Sequence, residues 1–476
     1  MKILLCSEFY SPSIGGVQIV MQQIAERFAA EGHEVIVATT ALKERVAKVI
    51  NGVHIVEFDI RGNLVNGLSG EIGKYKEFIK GFDGDVILIK AAQQWTFDSI
   101  WDELRQIKAR KVFVPCGFSC LYEKSYSTYY KHLPEILKVF DHLIFYSGDY
   151  RDIDFVKKHG LLNYSILSNG ADEREFNVSI DPDFRSKLDI DPEAFLMLNV
   201  ASLSELKGQS ELIDAFELVP SHGKKLHLLL NCNVALPKNR IQNQKSNLRY
   251  LPGISQQWMD RIWKFQLLCS PDNVFEVLKA FRNPFKIFRR LSHVNKKLNS
   301  ELIEHRPPPK VPPKESLHAS ILRRAELINC NQDSKKVLLI DLPRDQLIQA
   351  YMSADLFVFP SHLEYSPLVL FESAAAGTPF LSSEAGNAAE LTKWFHGGFV
   401  FNSPKNSEGI CSVEPQVLAD EMSLLINQSD HLQAMGTAMK MIWAEKYTWG
   451  RIFEYYKNIL FYSESKSRLK KYQDFA

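Results

Sequence analysis

The chain lacks any long apolar run. No stretch approaches the roughly 18 to 20 consecutive apolar residues of a membrane-spanning helix, and the run Ile3 to Cys6 is far too short for a signal peptide. A cytoplasmic, non-integral protein is therefore expected. Cysteine is scarce and unpatterned: seven residues, with no C-x-x-C pair and no other metal-ligand spacing, Cys116 and Cys120 being nearest together. That excludes a disulfide framework and gives no reason to expect a metal; reduced thiols are the simplest reading. A charge of one sign is missing too. With 57 Lys and Arg against 56 Asp and Glu, the chain has no global attraction for a polyanion, and nucleic acid is not an expected partner. What remains is an ordinary globular composition, 45% hydrophobic and 24% charged over 476 residues. It is long enough for two domains of roughly 200 residues each.

The most informative stretch runs from Leu356 to Glu390. Leu356 to Phe359, closed by Pro360, reads as a buried parallel strand. A polar loop, Ser361 to Pro367, leads into an apolar helix from about Leu368 to Ala376 that stops at Gly377-Thr-Pro379, and Phe380 to Ser382 reads as the next strand. This is a βαβ unit whose loop lies at the carboxyl end of a strand, where open α/β sheets bind ligands. Glu364 lies in the loop and Glu372 in the helix eight residues later. That spacing allows one carboxylate beside a ligand's reacting end and the other on a different part of it. The N–H groups of Ser366, Pro367's successor Leu368 and Val369 are helix-start donors suited to a phosphate. From spacing alone, a solvated Glu364 and a surface Glu372 are equally good readings.

The rest of the chain alternates in the same way. Lys2 to Cys6, Val35 to Thr39, His54 to Phe58, Val86 to Ile89, Val112 to Val114 and His142 to Tyr146 read as strands of a first domain, with an amphipathic helix over Val17 to Ala30. The loop before that helix ends in Gly15-Gly16, which lets backbone approach a ligand closely at a helix start. Gln93 and Cys116 follow strands and so sit on ligand-facing loops, Cys116 being equally readable as a small space-filler. Asp83-Gly-Asp85 precedes a strand and is discounted as a metal site. A second domain opens with the strand Phe195 to Val200, then Ser202 in a loop and a helix from Lys207, then the strand Leu226 to Leu230. Alternation fails from roughly Pro237 to Lys336 and resumes at Val337 to Ile340. Within the break, Arg261 to Arg324 carries fourteen Lys and Arg against five Asp and Glu, with the proline run Arg306 to Lys314. A basic, aromatic surface of this kind could lie on an anionic membrane face; an inserted helical subdomain with a solvated basic face is the plainer account.

The run His362 to Glu372, with Ala374-Ala-Ala-Gly-Thr-Pro379, resembles the E-x7-E signature and following turn of the family-four retaining glycosyltransferases (group 1). The resemblance implies the GT-B fold, two Rossmann-like domains facing across a cleft. On that plan residues 1–176 form an acceptor-side domain, 177–191 a linker and 192–450 a nucleotide-sugar domain with an insertion over about 237–336. Residues 451–476 form a helix returning to the first domain. It further implies a nucleotide-sugar donor, a glycan or lipid-linked acceptor in surface polysaccharide or glycoconjugate synthesis, and no metal or other cofactor. Glu364, Lys207 and Gly16 take the catalytic positions. Glu372, Gly15, Ser202, Tyr365, Ser366, Pro367, Leu368, Leu342 and Asn387 take donor-binding ones, and Gln93 and Cys116 face the sugar or acceptor. The sequence departs from the family at Ser202, where an Arg is usual, at Cys116 and Gln93, where one His is usual, and at Asn231-Cys-Asn233 in place of G-x-G. Those departures support a rival reading: a GT-B scaffold that binds a nucleotide or partner without turnover. A sugar-nucleotide epimerase is a further alternative, disfavoured by the E-x7-E unit. Oligomeric state is not legible.

Overall fold

Runs such as Ile3–Cys6, Val86–Lys90, Phe195–Val200 and Leu226–Asn231 are buried at every position, the signature of parallel strands covered by helices on both faces. In the computed structural model, which describes residues 1–232 and 316–461, these strands make two sheets. The first orders its strands as Tyr164–Ile166, His142–Phe145, Arg110–Val114, Val86–Lys90, Lys2–Cys6, Glu34–Thr40, Val53–Phe58 and Val49–Ile50, parallel except for the last pair. The second orders Lys335–Ile340, Leu226–Asn231, Phe195–Val200, Leu356–Phe359, Phe380–Ser382 and Phe399–Val400, all parallel. The architecture is the GT-B arrangement of two Rossmann-like α/β domains.

Each sheet has one place where the chain reverses its direction of travel across the strands. In the first sheet it lies between Lys2–Cys6 and Val86–Lys90, paired in register at Ile3 and Val86. In the second it lies between Phe195–Val200 and Leu356–Phe359, paired at Met197 and Leu356. Connections leave such neighbouring strands in opposite directions, so a crevice opens beyond their carboxyl ends. The loops after three of these strands carry Gly15-Gly16, Lys207 and Glu364, and Lys90 is the last residue of the fourth. Topology alone thus brings Lys207 to Glu364, 157 positions further along the chain, and places Gly15-Gly16 on the same cleft.

The helix Gly16–Ala30 buries Val20, Met21, Ile24, Ala25 and Phe28, a stripe at helical spacing. Against it lies the last described helix, Trp449–Phe461, through Trp449, Ile452, Phe453, Tyr456 and Leu460; the rings of Phe28 and Phe453 meet edge to face at 4.6 Å. Each such side chain contributes roughly 1.5–3 kcal/mol of burial, which fixes the end of the chain on the first domain. Ala171, leaving the first domain, and Thr448, returning to it, form a bridge, with Trp449 N–H donating to Ala171 O at 3.1 Å. The two crossings of the chain are therefore side by side.

One helix overturns part of the sequence reading. Leu317–Asn331 buries Ile321, Ala325 and Ile328 on the second domain, and Arg324 pairs with Asp214 of the helix Gln209–Leu218. It completes a regular βα unit, so the break in alternation ends by residue 316 rather than 336. The apolar spacing was present but diluted by Arg323, Arg324 and Glu326. The aromatic-basic segment, the proline run and Asn233 lie outside the described residues, as does 462–476. Among the strands not foreseen are the ribbon Ile60–Asn63 with Gly67–Gly70 and the edge strands Tyr164–Ile166, Val49–Ile50 and Phe399–Val400.

Candidate active site

A cleft of about 540 Å³ runs between the two crevices. On its second-domain side, Lys207 ends a short 3-10 turn, Glu205–Lys207, and its Nζ lies 2.5 Å from Glu364 Oε1. The same oxygen accepts from Ser361 Oγ at 2.8 Å. Gly208 makes this approach possible. Its φ is +70°, and a Cβ there would stand 1.9 Å from Pro360 O, so only glycine lets the Lys207 turn lie on the root of the Glu364 loop. Behind that loop Gly386, with φ +62°, presses on Tyr365 O, which a Cβ would approach to 2.5 Å. Ser202 lines the cleft; its carbonyl accepts from Gln209 Nε2 at 3.1 Å, and its hydroxyl brings no charge.

The helix Leu368–Ala376 starts at the cleft wall, and Pro367, Leu368 and Val369 line it. Ser366, only 9% exposed, turns Oγ inward with no hydrogen-bond partner among the described residues. Glu372, one turn into the helix, is buried, and its Oε1 lies 2.6 Å from Arg344 Nη2. Arg344 also grips Glu175 through two bonds, at 3.0 and 2.6 Å. Partial loss of solvent opposes the charge of the guanidinium, and the neighbouring Glu372 and Glu175 carboxylates outweigh it and raise its pKa. Arg344 was missed as a site residue because it opens its helix after Leu342-Pro343, far from the motif. Its position beside Glu372 supplies a second cation to a cleft where Ser202 supplies none. Leu342 lines the cleft; its N–H is committed to Asn231 Oδ1 at 2.8 Å.

Across the cleft stand Gly15 and Gly16 at the start of the helix Gly16–Ala30. A Cβ on Gly16 would lie 3.8 Å from Leu368 Cδ1, so two helix starts face each other closely. Cys116 lines the same wall. Burial raises its thiol pKa, which argues against a reactive thiolate. Lys90, Tyr146 and Asn169 also line the cleft, none of them foreseen as site residues. Four non-glycine residues on the loops after Val86–Lys90 and Arg110–Val114 hold left-handed backbone: Ala91 (φ +68°), Gln93 (+64°), Cys116 (+61°) and Phe118 (+47°). Such strain concentrates where a structure over-determines a functional position.

Two expected positions fall elsewhere. Gln93 does not line the cleft; its N–H donates to Tyr129 Oη at 3.0 Å and its carbonyl accepts from Asn63 at 3.3 Å, on the outer side of the loop. Asn387 is buried between the domains, its Nδ2 donating to Tyr146 O at 3.2 Å and its N–H to Tyr365 O at 2.9 Å. The segment from Glu384 to Glu390 thus braces the Glu364 loop rather than facing the cleft. Glu390 accepts from Ser147 Oγ at 2.5 Å and Gly148 N–H at 2.9 Å. Tyr150 Oη donates to Glu364 O at 2.6 Å, and Tyr146 N–H donates to Tyr365 Oη at 2.9 Å. The loop bearing Glu364 is therefore bonded to both domains. Among the described residues, no group of three or more His, Cys, Asp or Glu could hold a metal ion.

Residues 329–439 match the family described as Glycosyl transferases group 1. Over 94 residues the chain is 29% identical to D-inositol 3-phosphate glycosyltransferase of Nocardia farcinica, covering 20% of this chain and 19% of that protein; the chain thus matches about a fifth of that relative's length. Among solved structures, sucrose-phosphate synthase from Thermosynechococcus elongatus superposes with a TM-score of 0.62 at 15% identity, over 96% of this chain and 98% of that one. Anabaena HepE, in complex with UDP and glucose, superposes at 0.59 and 15% identity, over 97% and 99%. At such identities these likenesses show the fold. The matched segment holds Leu342, Arg344, Glu364 and Glu372, so the chain has the GT-B fold and its second domain is similar to the glycosyl transferases group 1 family over residues 329–439.

Proposed function

We propose that the protein transfers a sugar, with retention of its anomeric configuration, from a nucleoside diphosphate sugar to an alcohol acceptor. The observation that carries this reading is the meeting of Lys207 and Glu364 at the second crevice, opposite the Gly15-Gly16 helix start. A leaving diphosphate needs preorganised positive potential where its charge develops. Lys207, the first-turn amides of Gly16–Ala30 and those of Leu368–Ala376 supply it without a metal. Ser366 Oγ and Asn169 Oδ1, both buried without partners among the described residues, are further polar groups for the donor. Glu372, held by Arg344, takes the ribose hydroxyls, and the carbonyl of Leu342 faces the base. On this reading Lys207 turns from Glu364 toward phosphate as the donor enters, freeing the carboxylate to orient the sugar. The departing phosphate oxygen accepts the acceptor's proton, so no separate protein base is required. UDP is the first nucleotide to try, given the ligand of Anabaena HepE.

The test is a panel of UDP-, GDP- and ADP-sugars followed by anomer-resolved product analysis. Transfer with retention, reduced by about 100-fold or more in E364Q, is the expected result; inversion, or full activity in E364Q, would sink it. One observation favours a second reading, a nucleotide-binding scaffold: both second-domain cations, Lys207 and Arg344, already sit in ion pairs. Tight nucleotide binding with neither transfer nor hydrolysis would select it. The acceptor is taken as a glycan or lipid-linked glycan, with the membrane reached through the basic insertion. Vesicle flotation with and without that segment tests the second point.

A further inference from the structure

Lys90 is the cleft-lining cation with no carboxylate in ion-pair range among the described residues. It ends the strand Val86–Lys90 at the first crevice and is 1% exposed. Its Nζ meets Tyr146 Oη, lies 4.3 Å from the Tyr146 ring centroid and is close to the Cys116 thiol. Tyr146 Oη is in turn 3.2 Å from Tyr456 Oη. Phenols and a thiol solvate an ammonium poorly, and burial depresses the lysine's pKa accordingly. Asp152 lies beyond Cys116, but its own burial raises its pKa to about 7.

A purely structural role for a buried lysine looks different in this same protein. Lys335 is 6% exposed, and its Nζ donates to the carbonyls of Phe216 at 2.9 Å and Glu217 at 2.8 Å. Arg45, likewise buried, has Glu57 and three carbonyls. Lys90 has no such acceptors among the described residues, yet its neighbours Ala91 and Cys116 hold left-handed backbone around it. Through Tyr146 it reaches Tyr365, whose ring centroid is 5.6 Å from that of Tyr146, and so it stands at the Glu364 end of the cleft.

We propose that Lys90 is a specificity-determining residue that binds an acidic group, a carboxylate or a phosphate, carried by the transferred sugar or by the acceptor. The proposal rests on the nucleotide-sugar reading above. An arriving anion supplies the charge partner that Tyr146 and Cys116 do not, and a charge-assisted bond in this low-dielectric corner is strong. A neutral sugar leaves the ammonium uncompensated.

Isothermal titration of the full chain and of K90M tests it. The probes are UDP, UDP-glucose and UDP-glucuronate, then glucose and glucose 6-phosphate in the presence of saturating UDP. We expect wild type to prefer one charged probe over its neutral counterpart by about tenfold or more. In K90M that preference falls to within about twofold, UDP affinity is unchanged and the variant melts no lower than wild type. The probe preferred identifies the source of the acidic group, donor sugar or acceptor. Equal preference in K90M, no preference in wild type, or UDP weakened as much as the charged probe would each overturn the assignment, the last by placing Lys90 on the diphosphate. Failure of wild type to bind UDP, GDP and ADP alike removes the nucleotide reading and this proposal together, whereas nucleotide binding without charge discrimination removes this one alone.

Discussion

The two crevices of the cleft are built by the same topology and charged in opposite styles. In the second domain each cation has its anion: Lys207 has Glu364, and Arg344 has Glu372 and Glu175. In the first domain Lys90 is surrounded by phenols and a thiol on a backbone held in left-handed conformations. A pre-paired crevice is stable by itself, and its pairs must be re-partnered as a ligand enters. An under-partnered one carries a cost in the protein that a ligand of the right charge removes. The contrast shows that a switch point fixes where side chains meet, while the neighbours supplied by sequence decide whether that meeting stores strain or relieves it.

The most damaging change should be G208A. A Cβ 1.9 Å from Pro360 O at φ +70° forces apart the turn and loop that bring Lys207 to Glu364. A loss of about 3 kcal/mol or more in denaturant unfolding is expected; an unchanged midpoint would show that the second crevice does not depend on this approach. Next, E372A should abolish nucleotide-induced thermal shift while leaving Arg344 its Glu175 partner. A retained shift would detach Glu372 from the ribose.

The pH dependence of stability isolates the first crevice. Asp152 is buried, and loss of solvent raises its pKa to about 7 against an ordinary value near 4. A raised acid binds its proton more tightly when folded, so its contribution is full below pH 4 and declines as pH rises to about 7. The slope is at most about 1.4 kcal/mol per pH unit. Unfolding curves for wild type and D152N across pH 4 to 8 should converge or cross in that window; parallel curves would contradict the shift.

The smallest effects compare the two crevices directly. K207M leaves Glu364 with Ser361 alone and should lower stability by about 1 kcal/mol, whereas K90M removes an under-partnered cation and should raise the melting temperature by roughly 1–3 °C. Equal signs for the two substitutions would erase the distinction.

Much of this layout was legible in the chain. Strands Lys2–Cys6, Phe195–Val200, Leu356–Phe359 and Phe380–Ser382 and the helix Leu368–Ala376 coincide with the sequence reading, because continuous apolar runs bounded by Gly, Pro or polar loops leave little choice of element. Glu364, Lys207, Gly15 and Gly16 were recognisable because they occupy loops after strands. Lys90 was not, since it reads as the polar end of a strand, and its importance comes from Tyr146 and Cys116, which other strands bring in. Arg344 was hidden similarly: nothing local says that it faces Glu372. Asn387 was misplaced because its segment looks like another ligand-facing helix start; only the packing of Gly386 against Tyr365 shows that it is a brace. Local pattern reveals which loops can reach a cleft, and long-range packing determines which side chains do.

The paired crossings at Ala171 and Thr448 have a mechanical corollary. With entry and return fastened to each other, the two covalent crossings act as one seam, and a swing about it must break the bonds that the Glu364 and Asn387 loops make to the first domain. Displacement then grows with distance from that seam, and fluorophores attached at the far lips of the gap would report the swing with the greatest amplitude.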